Sequence, residues 1–158
     1  MIKRTAKRMR LCVTCLILIL AFIWGNSLLP GSDSGILSDT IKALLQKFFP
    51  FLFSGDGSGG GWVRKVAHFS EFTLLSICLC WLFAMFRGRL AELILPVLLS
   101  GILTACIDEF IQLFVPGRNS SFIDVGIDST GVIVGIALFT IGFLIAVNMN
   151  QHHLEELK

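Results

Sequence analysis

The chain has 158 residues, of which 54% are hydrophobic and 15% are charged, and its mean hydropathy is +0.81. This composition excludes an ordinary soluble domain, which needs more polar residues to cover its surface. The formal net charge is only +2, and no nucleic-acid partner is predicted. Because a membrane span takes roughly 20 apolar residues, the chain has room for about four spans and for no separate soluble domain.

The first apolar stretch, residues 11–29, follows a basic segment. Five of the thirteen lysines and arginines lie in the first ten residues: Lys3, Arg4, Lys7, Arg8 and Arg10. A basic segment before an apolar run is also typical of a signal peptide, but this run is long and no cleavage site of the A-x-A kind follows it. The stretch is therefore predicted to be a retained membrane span.

Two of the five cysteines, Cys12 and Cys15, form a C-x-x-C motif inside this first span. The motif could indicate a redox or metal site, but no second pair completes such a site. The other three, Cys78, Cys80 and Cys106, lie in apolar stretches. The cysteines are therefore interpreted as small apolar helix residues and not as a disulfide framework.

Three further apolar stretches follow, at residues 62–86, about 90–115 and about 122–147. The sequence therefore predicts an all-α membrane protein with four transmembrane helices in one domain, residues 1–158. Basic residues favour the cytoplasmic side. The basic N-terminus, Arg87 and Arg89 after the second span, and the tail ending at Lys158 predict that both termini are cytoplasmic.

The first loop is accordingly predicted to be extracytoplasmic. Within it, apolar residues recur at helical spacing and predict a short amphipathic helix that ends at Pro50, before a flexible, glycine-rich tract at residues 55–61. The apolar positions are Leu37, Ile41, Leu44, Leu45 and Phe48. This helix either rests on the outer membrane surface or forms a lid over a site.

Ionisable residues at membrane depth are the main functional signal, because each ionised side chain there costs about 3 kcal/mol on insertion scales. With a helical rise of about 1.5 Å per residue, one group of polar residues on three spans and the loop between two of them lies within roughly 10 Å of the outer membrane boundary. The group comprises Arg64, Lys65, His68 and Glu71 in the second span, Asp108, Glu109 and Gln112 in the third, Arg118 and Ser121 in the following loop, and Asp124 and Asp128 in the fourth span.

This combination suits proton transfer beside a bound anion. An imidazole among carboxylates is typical of general acid and base catalysis, and guanidinium groups bind phosphate in a bidentate way. The predicted catalytic residues are His68, Glu71, Asp108, Glu109, Asp124 and Asp128. The predicted substrate-binding residues are Arg64, Lys65, Gln112, Arg118 and Ser121. A divalent cation held by Asp108, Glu109, Asp124 and Asp128 is an open alternative, although their spacing matches no metal motif.

Two glycines continue the helical face that carries Asp124 and Asp128. Gly131 and Gly135 form a small-xxx-small surface, where another helix can approach closely. This predicts that the two acids point into the bundle. A purely structural interpretation has Asp128 hydrogen-bonded across helices without a role in chemistry.

One pattern of residues runs from the second span to the fourth: Lys65, His68, Phe69, Leu74, Leu75, Asp108, Glu109, Gln112, Pro116, Gly117, Arg118, Ser121, Asp124, Asp128 and Gly131. This pattern resembles the VanZ family. Phe72 stands where the family often has tyrosine, and Ile123 stands where it often has a basic residue. The resemblance implies a multi-pass protein of the bacterial plasma membrane, a link to resistance against the glycopeptide teicoplanin, and kinship with enzymes that exchange or cleave lipid headgroups.

These residues are compatible with four functions. The first is an enzyme that hydrolyses or exchanges phosphate-linked lipid headgroups or lipid-linked cell-wall precursors, and the second is a non-catalytic protein that binds a headgroup or excludes an antibiotic. An ion pathway is disfavoured because the inner halves of the spans are apolar. A structural or assembly role is the fourth. The predicted partner is a membrane lipid or a lipid-linked precursor.

Overall fold

The computed structural model describes residues 2–48, 61–86 and 89–156. These residues form five α-helices and no β-strand. The helices are α1 (Ile2–Ser27), α2 (Gly31–Phe48), α3 (Gly61–Ala84), α4 (Ala91–Gln112) and α5 (Phe122–Glu156). Pro50, residues 55–60 of the predicted flexible tract, Arg87 and Lys158 lie outside the described residues.

Four of these helices are long and apolar enough to cross a membrane, which confirms the predicted number of spans. They are Ala6–Ser27, Gly61–Ala84, Ala91–Gln112 and Phe122–Gln151. The third span ends at Gln112 and not near Val115, because the chain turns at residues 113–117 ahead of the loop to α5. This is the architecture of a multi-pass membrane protein.

Small residues let α5 lie directly against α3. A side chain at Gly131 would meet the Phe69 carbonyl group and the Cβ atom of Phe72, and one at Gly135 would meet Ser76. The Thr73 hydroxyl also donates to the Gly131 carbonyl oxygen across the two helices, at 3.1 Å. The predicted close approach of a second helix at the two glycines is therefore confirmed.

The apolar core is shared by α1, α3, α4 and α5. Its buried members are Cys12, Leu16, Ile23, Phe72, Leu75, Ala105 and Val132. Phe72 is fully buried, so this phenylalanine fills the core at the position where a phenol was expected from the family. All five cysteines are free thiols, as expected for small apolar helix residues.

The predicted amphipathic helix is present as α2, but it begins at Gly31, before the first apolar position at Leu37. Its first backbone N–H donates to the Pro116 carbonyl oxygen, at 3.0 Å. Gly31 also lies against Gly117, whose φ of +73° favours glycine. These contacts attach the start of α2 to the loop that joins α4 to α5, and α2 also packs against α3.

Candidate active site

Four helix ends meet where the predicted polar residues converge. The C-terminal ends of α1 and α4 lie beside the N-terminal ends of α3 and α5, because consecutive spans run in opposite directions. The buried polar residues of this region include Ser27, Glu71, Asp108, Glu109, Gln112, Arg118 and Asp128. The structure therefore brings together residues that lie far apart in the sequence.

The Gln112 amide group organises the acids of α4. Its Nε2 atom donates to Asp108 Oδ2 at 2.9 Å, to Glu109 Oε1 at 3.3 Å and to Ser27 Oγ at 3.3 Å. The other oxygen of Glu109 accepts a hydrogen bond from the backbone N–H of Ser121, at 2.8 Å. These contacts fix both carboxylates against α1 and against the loop before α5.

Glu71 and Arg118 attach the site to the end of α1. Asn26 Nδ2 donates to Glu71 Oε1 at 3.0 Å. Arg118 Nε donates to the Leu29 carbonyl oxygen at 3.0 Å, and its Nη2 donates to the Asn26 carbonyl oxygen. Burial, together with the positive charge of Arg64, lowers the pKa of Arg118 below its usual value, yet an arginine stays charged under such conditions. Its guanidinium group therefore binds backbone carbonyl oxygens in the last turn of α1 and just after it.

The deepest part of the site holds His68, Asp108 and Asp128, which we call the inner triad. His68 Nδ1 lies 3.8 Å from Asp108 Oδ2, and one potential ligand atom from each residue lies within 4.8 Å of the other two. Asp128 is 1% exposed. No described residue donates a hydrogen bond to either of its carboxylate oxygens.

A cavity of about 10 Å³ lies beside the inner triad, which is room for about one water molecule or ion. It is lined by Arg64, Lys65, His68, Glu109, Gln112, Asp124, Ile127 and Asp128. At its mouth, Lys65 Nζ lies 3.9 Å from Asp124 Oδ1, and the Lys65 side chain is half exposed. The mouth thus carries positive charge, while carboxylates line the inner wall.

A second cavity, of about 400 Å³, forms an apolar groove between α4 and α5. Cys106, Phe110, Leu113, Phe122 and Val125 supply its apolar wall. Its polar residues are Glu109, Ser120 and Ser121. Because Glu109 lines both cavities, the groove and the small polar cavity are adjacent.

The predicted site residues fall into two groups. Those that line the polar cavity are Arg64, Lys65, His68, Glu109, Gln112, Asp124 and Asp128, and Asp108 completes the inner triad behind them. Glu71, Arg118 and Ser121 instead hold neighbouring segments in place. Asn26 and Ser27 are also part of the site; the sequence places them at similar depth at the end of the first span, but they were not among the predicted catalytic or substrate-binding residues.

One comparison with known proteins gives a match. The model of a protein family described as VanZ/LLP1 matches residues 12–145, which confirms the resemblance drawn from the motif residues and extends it into the first span. No curated protein and no solved structure matches the chain.

Proposed function

The chain belongs to the VanZ/LLP1 family, and we propose that it is an enzyme that hydrolyses or exchanges a phosphate-linked headgroup. The substrate is a membrane lipid or a lipid-linked cell-wall precursor. One observation carries this proposal: a histidine, several carboxylates and two basic side chains line a single cavity where four helix ends meet. General acids and bases beside cationic groups are what phosphoryl chemistry requires.

The location of the cavity supports a lipid substrate. It lies at the ends of the apolar helices, the depth at which lipid phosphates meet the hydrocarbon region. The adjacent groove between α4 and α5 has a mainly apolar lining and reaches the cavity at Glu109. An acyl or polyprenyl chain in this groove would present its phosphate to the polar cavity. The cavity itself admits only about one water molecule, so the bulk of the headgroup binds at its mouth.

The basic residues of the mouth bind the phosphate in this proposal. Lys65 is half exposed and its partner Asp124 lies 3.9 Å away, so an arriving phosphate can replace that carboxylate as the lysine's counterion. Arg64 lines the same cavity and offers a planar pair of donors to two phosphate oxygens. Both cations then stabilise the negative charge that develops on the phosphoryl oxygens during reaction.

Proton transfer is assigned to the inner residues. An oxygen of water, or of a second headgroup alcohol, bonds to phosphorus while the bond from phosphorus to the leaving oxygen breaks. His68 accepts the proton of the attacking oxygen. A carboxyl group of Asp108 or Glu109 supplies a proton to the leaving oxygen, and Gln112 positions both acids.

Mass spectrometry of lipids tests the proposal directly. Purified protein is reconstituted with phospholipids and polyprenyl-linked precursors, with and without divalent cations, and the products are compared for wild type, His68→Ala and Asp108→Asn. We expect release or exchange of a headgroup by the wild type and at least a 100-fold loss in each variant, the usual scale for a general acid or base. Glu92→Gln is the matched control, because this acid lies in the first turn of α4, at the other end of the helix.

The outcome separates catalysis from binding. Unchanged lipids for the wild type, together with saturable headgroup binding that Arg64→Met abolishes, would replace the enzyme with a protein that sequesters a headgroup. Turnover that survives in both His68→Ala and Asp108→Asn would remove these residues from the reaction. An effect on teicoplanin susceptibility is a separate prediction, which rests on the family resemblance.

A further inference from the structure

We propose that the inner triad binds one divalent cation of the Zn²⁺ or Mn²⁺ type, through His68 Nδ1 and one carboxylate oxygen each from Asp108 and Asp128. This proposal deepens the proposed function by naming an ion for the same site, but it is tested by binding alone. The sequence left open a cation held by four acids. This proposal keeps two of them, Asp108 and Asp128, as ligands and adds His68 as the third.

The surroundings of Asp128 provide the first argument. Its side chain is almost completely buried, and neither oxygen accepts a hydrogen bond from a described residue. Buried carboxylates are normally paired, hydrogen-bonded or bound to a metal. Of the described basic residues, Lys65 pairs with Asp124 one turn away, so that ion pair does not satisfy Asp128.

The same condition recurs at the other two members of the triad. His68 Nδ1 and Asp108 Oδ1 are also buried and have no hydrogen-bond partner among the described residues. Ligands of one tetrahedral Zn²⁺ lie about 3.4 Å apart, given bonds of about 2.0–2.2 Å. One potential ligand atom from each of the three residues lies within 4.8 Å of the other two, so side-chain shifts of about 1 Å would bring the three residues onto a single ion.

A neighbouring residue already holds one ligand in the manner of a metal site. Gln112 donates to Asp108 Oδ2 at 2.9 Å, which leaves Oδ1 of the same carboxylate for an ion. Such outer contacts usually orient metal-binding side chains. The adjacent cavity of about 10 Å³ has room for one water molecule as a further ligand.

The chemistry of the ligands selects the class of ion. Ca²⁺ prefers six to eight oxygen ligands and Mg²⁺ keeps most of its waters, whereas imidazole with carboxylates suits Zn²⁺ and Mn²⁺. Two carboxylates would also balance the double positive charge within a region of low dielectric constant. If the ion is bound, His68, Asp108 and Asp128 would hold it, and the metal would supply the activation of the attacking water that the imidazole supplies without it.

Metal titration of the purified protein, without any lipid substrate, tests the site. The protein is prepared with a histidine-free tag and with His152 and His153 replaced by alanine, stripped with a chelator, and placed in zwitterionic detergent. Binding of Mn²⁺ is followed by electron paramagnetic resonance, and Zn²⁺ is added as a competitor. We expect one saturable site per chain, displaced by Zn²⁺, and a rise in the thermal unfolding midpoint with either ion.

Three variants locate the site. Asp128→Asn and Asp108→Asn should each weaken Mn²⁺ binding by more than about tenfold, a loss that even outer-sphere changes can reach. Asp124→Asn removes an acid one turn from Asp128 but outside the triad, and should change the affinity by less than about threefold. Size-exclusion profiles check that each variant is folded.

Two results would overturn the proposal. A wild type that shows no saturable Mn²⁺ or Zn²⁺ site below about 1 mM has no metal site, whatever the variants do. Equal affinity in wild type, Asp128→Asn and Asp108→Asn would place the ion elsewhere. If either result is found while headgroup turnover persists, the proposed function stands and only this inference fails.

Discussion

At the scale of single residues, the two arginines of the site have different surroundings. Arg118 is buried, and its guanidinium group donates to carbonyl oxygens at the end of α1. Arg64 lines the polar cavity near its mouth. The sequence predicted substrate binding for both, because both are basic residues near an outer helix end, but only Arg64 reaches the cavity in the structure.

Replacing each arginine by methionine should therefore give opposite results. Arg118→Met removes charge-assisted hydrogen bonds to backbone carbonyls, and we expect a loss of about 2 kcal/mol in the free energy of unfolding. Arg64→Met should leave the thermal unfolding midpoint within about 2 °C and weaken headgroup binding by about tenfold or more. Thermal unfolding in detergent and binding of a short-chain lipid phosphate measure the two effects.

Equal loss of stability in both variants would contradict this division of roles. Comparing the two variants also separates a direct loss of headgroup binding from an indirect one. Loss of the Arg118 contacts should shift the loop whose Ser121 N–H group donates to Glu109. Arg118→Lys provides the intermediate case. It keeps the charge but lacks the planar pair of donors that reach two carbonyl groups, so it should restore less than half of the lost stability.

The members of the site could be predicted from the sequence, but their roles could not. Ionisable side chains in apolar spans need partners or water, and this requirement alone brought His68, Asp108 and Asp128 into one group. It cannot say that Gln112 holds Asp108 while Asp128 has no hydrogen-bond donor among the described residues. Those differences depend on the directions of side chains in three packed helices. The spacing of residues along one helix does not reveal these directions.

At the scale of helices, the contact between α3 and α5 positions the inner triad. His68 lies on α3 and Asp128 on α5, while the glycines one and two turns after Asp128 let the two backbones approach. Lipid provides no hydrophobic force between helices, so close packing of small residues carries much of their association. The spacing of these glycines made this contact predictable from the sequence.

Gly131→Ala should therefore damage both the fold and the site. The added methyl group would meet the backbone carbonyl group of Phe69, which cannot rotate away, and overpacking of this kind costs about 1–3 kcal/mol. Gly142→Ala is the matched control on the same helix, because no atom of another described segment lies within 4 Å of the position of its Cβ. We expect a lower thermal midpoint for Gly131→Ala only. A midpoint equal to that of Gly142→Ala would mean that α3 and α5 are packed differently.

The early start of α2 was not predicted, for a physical reason. The apolar pattern that indicated a helix begins at Leu37, whereas the preceding turns carry Ser34, which is buried, and Asp33. An acid in the first turn favours a helix N-terminus, but polar residues after a proline are equally typical of a loop. The contact of Gly31 with Pro116 and Gly117 favours the helix over the loop. This contact could not be predicted locally, because it links segments about 85 residues apart in the sequence.

At the scale of the whole molecule, the alternating helices collect the polar residues at one end of the bundle. That end contains basic side chains at three described positions, Arg64, Lys65 and Arg118. These charges belong to the site, since Lys65 pairs with Asp124 and Arg118 with backbone carbonyl groups. They should therefore not count as topology signals, and the basic residues of α1 and of the loop after α3 should decide the orientation.

The basic residues of α1 and of the loop after α3 predict that the site faces the outside of the cell, with both termini in the cytoplasm. Single cysteines are introduced at Asn119 and at Arg89, on a background whose five native cysteines are replaced by alanine and whose thermal midpoint is checked. An impermeant maleimide added to intact cells should label Asn119→Cys, while Arg89→Cys should react only after the membrane is opened. Both positions are exposed in the structure, so a difference in labelling reports the side of the membrane. Labelling of Arg89→Cys alone would place the site in the cytoplasm, where its lipid substrate would have to come from the inner leaflet.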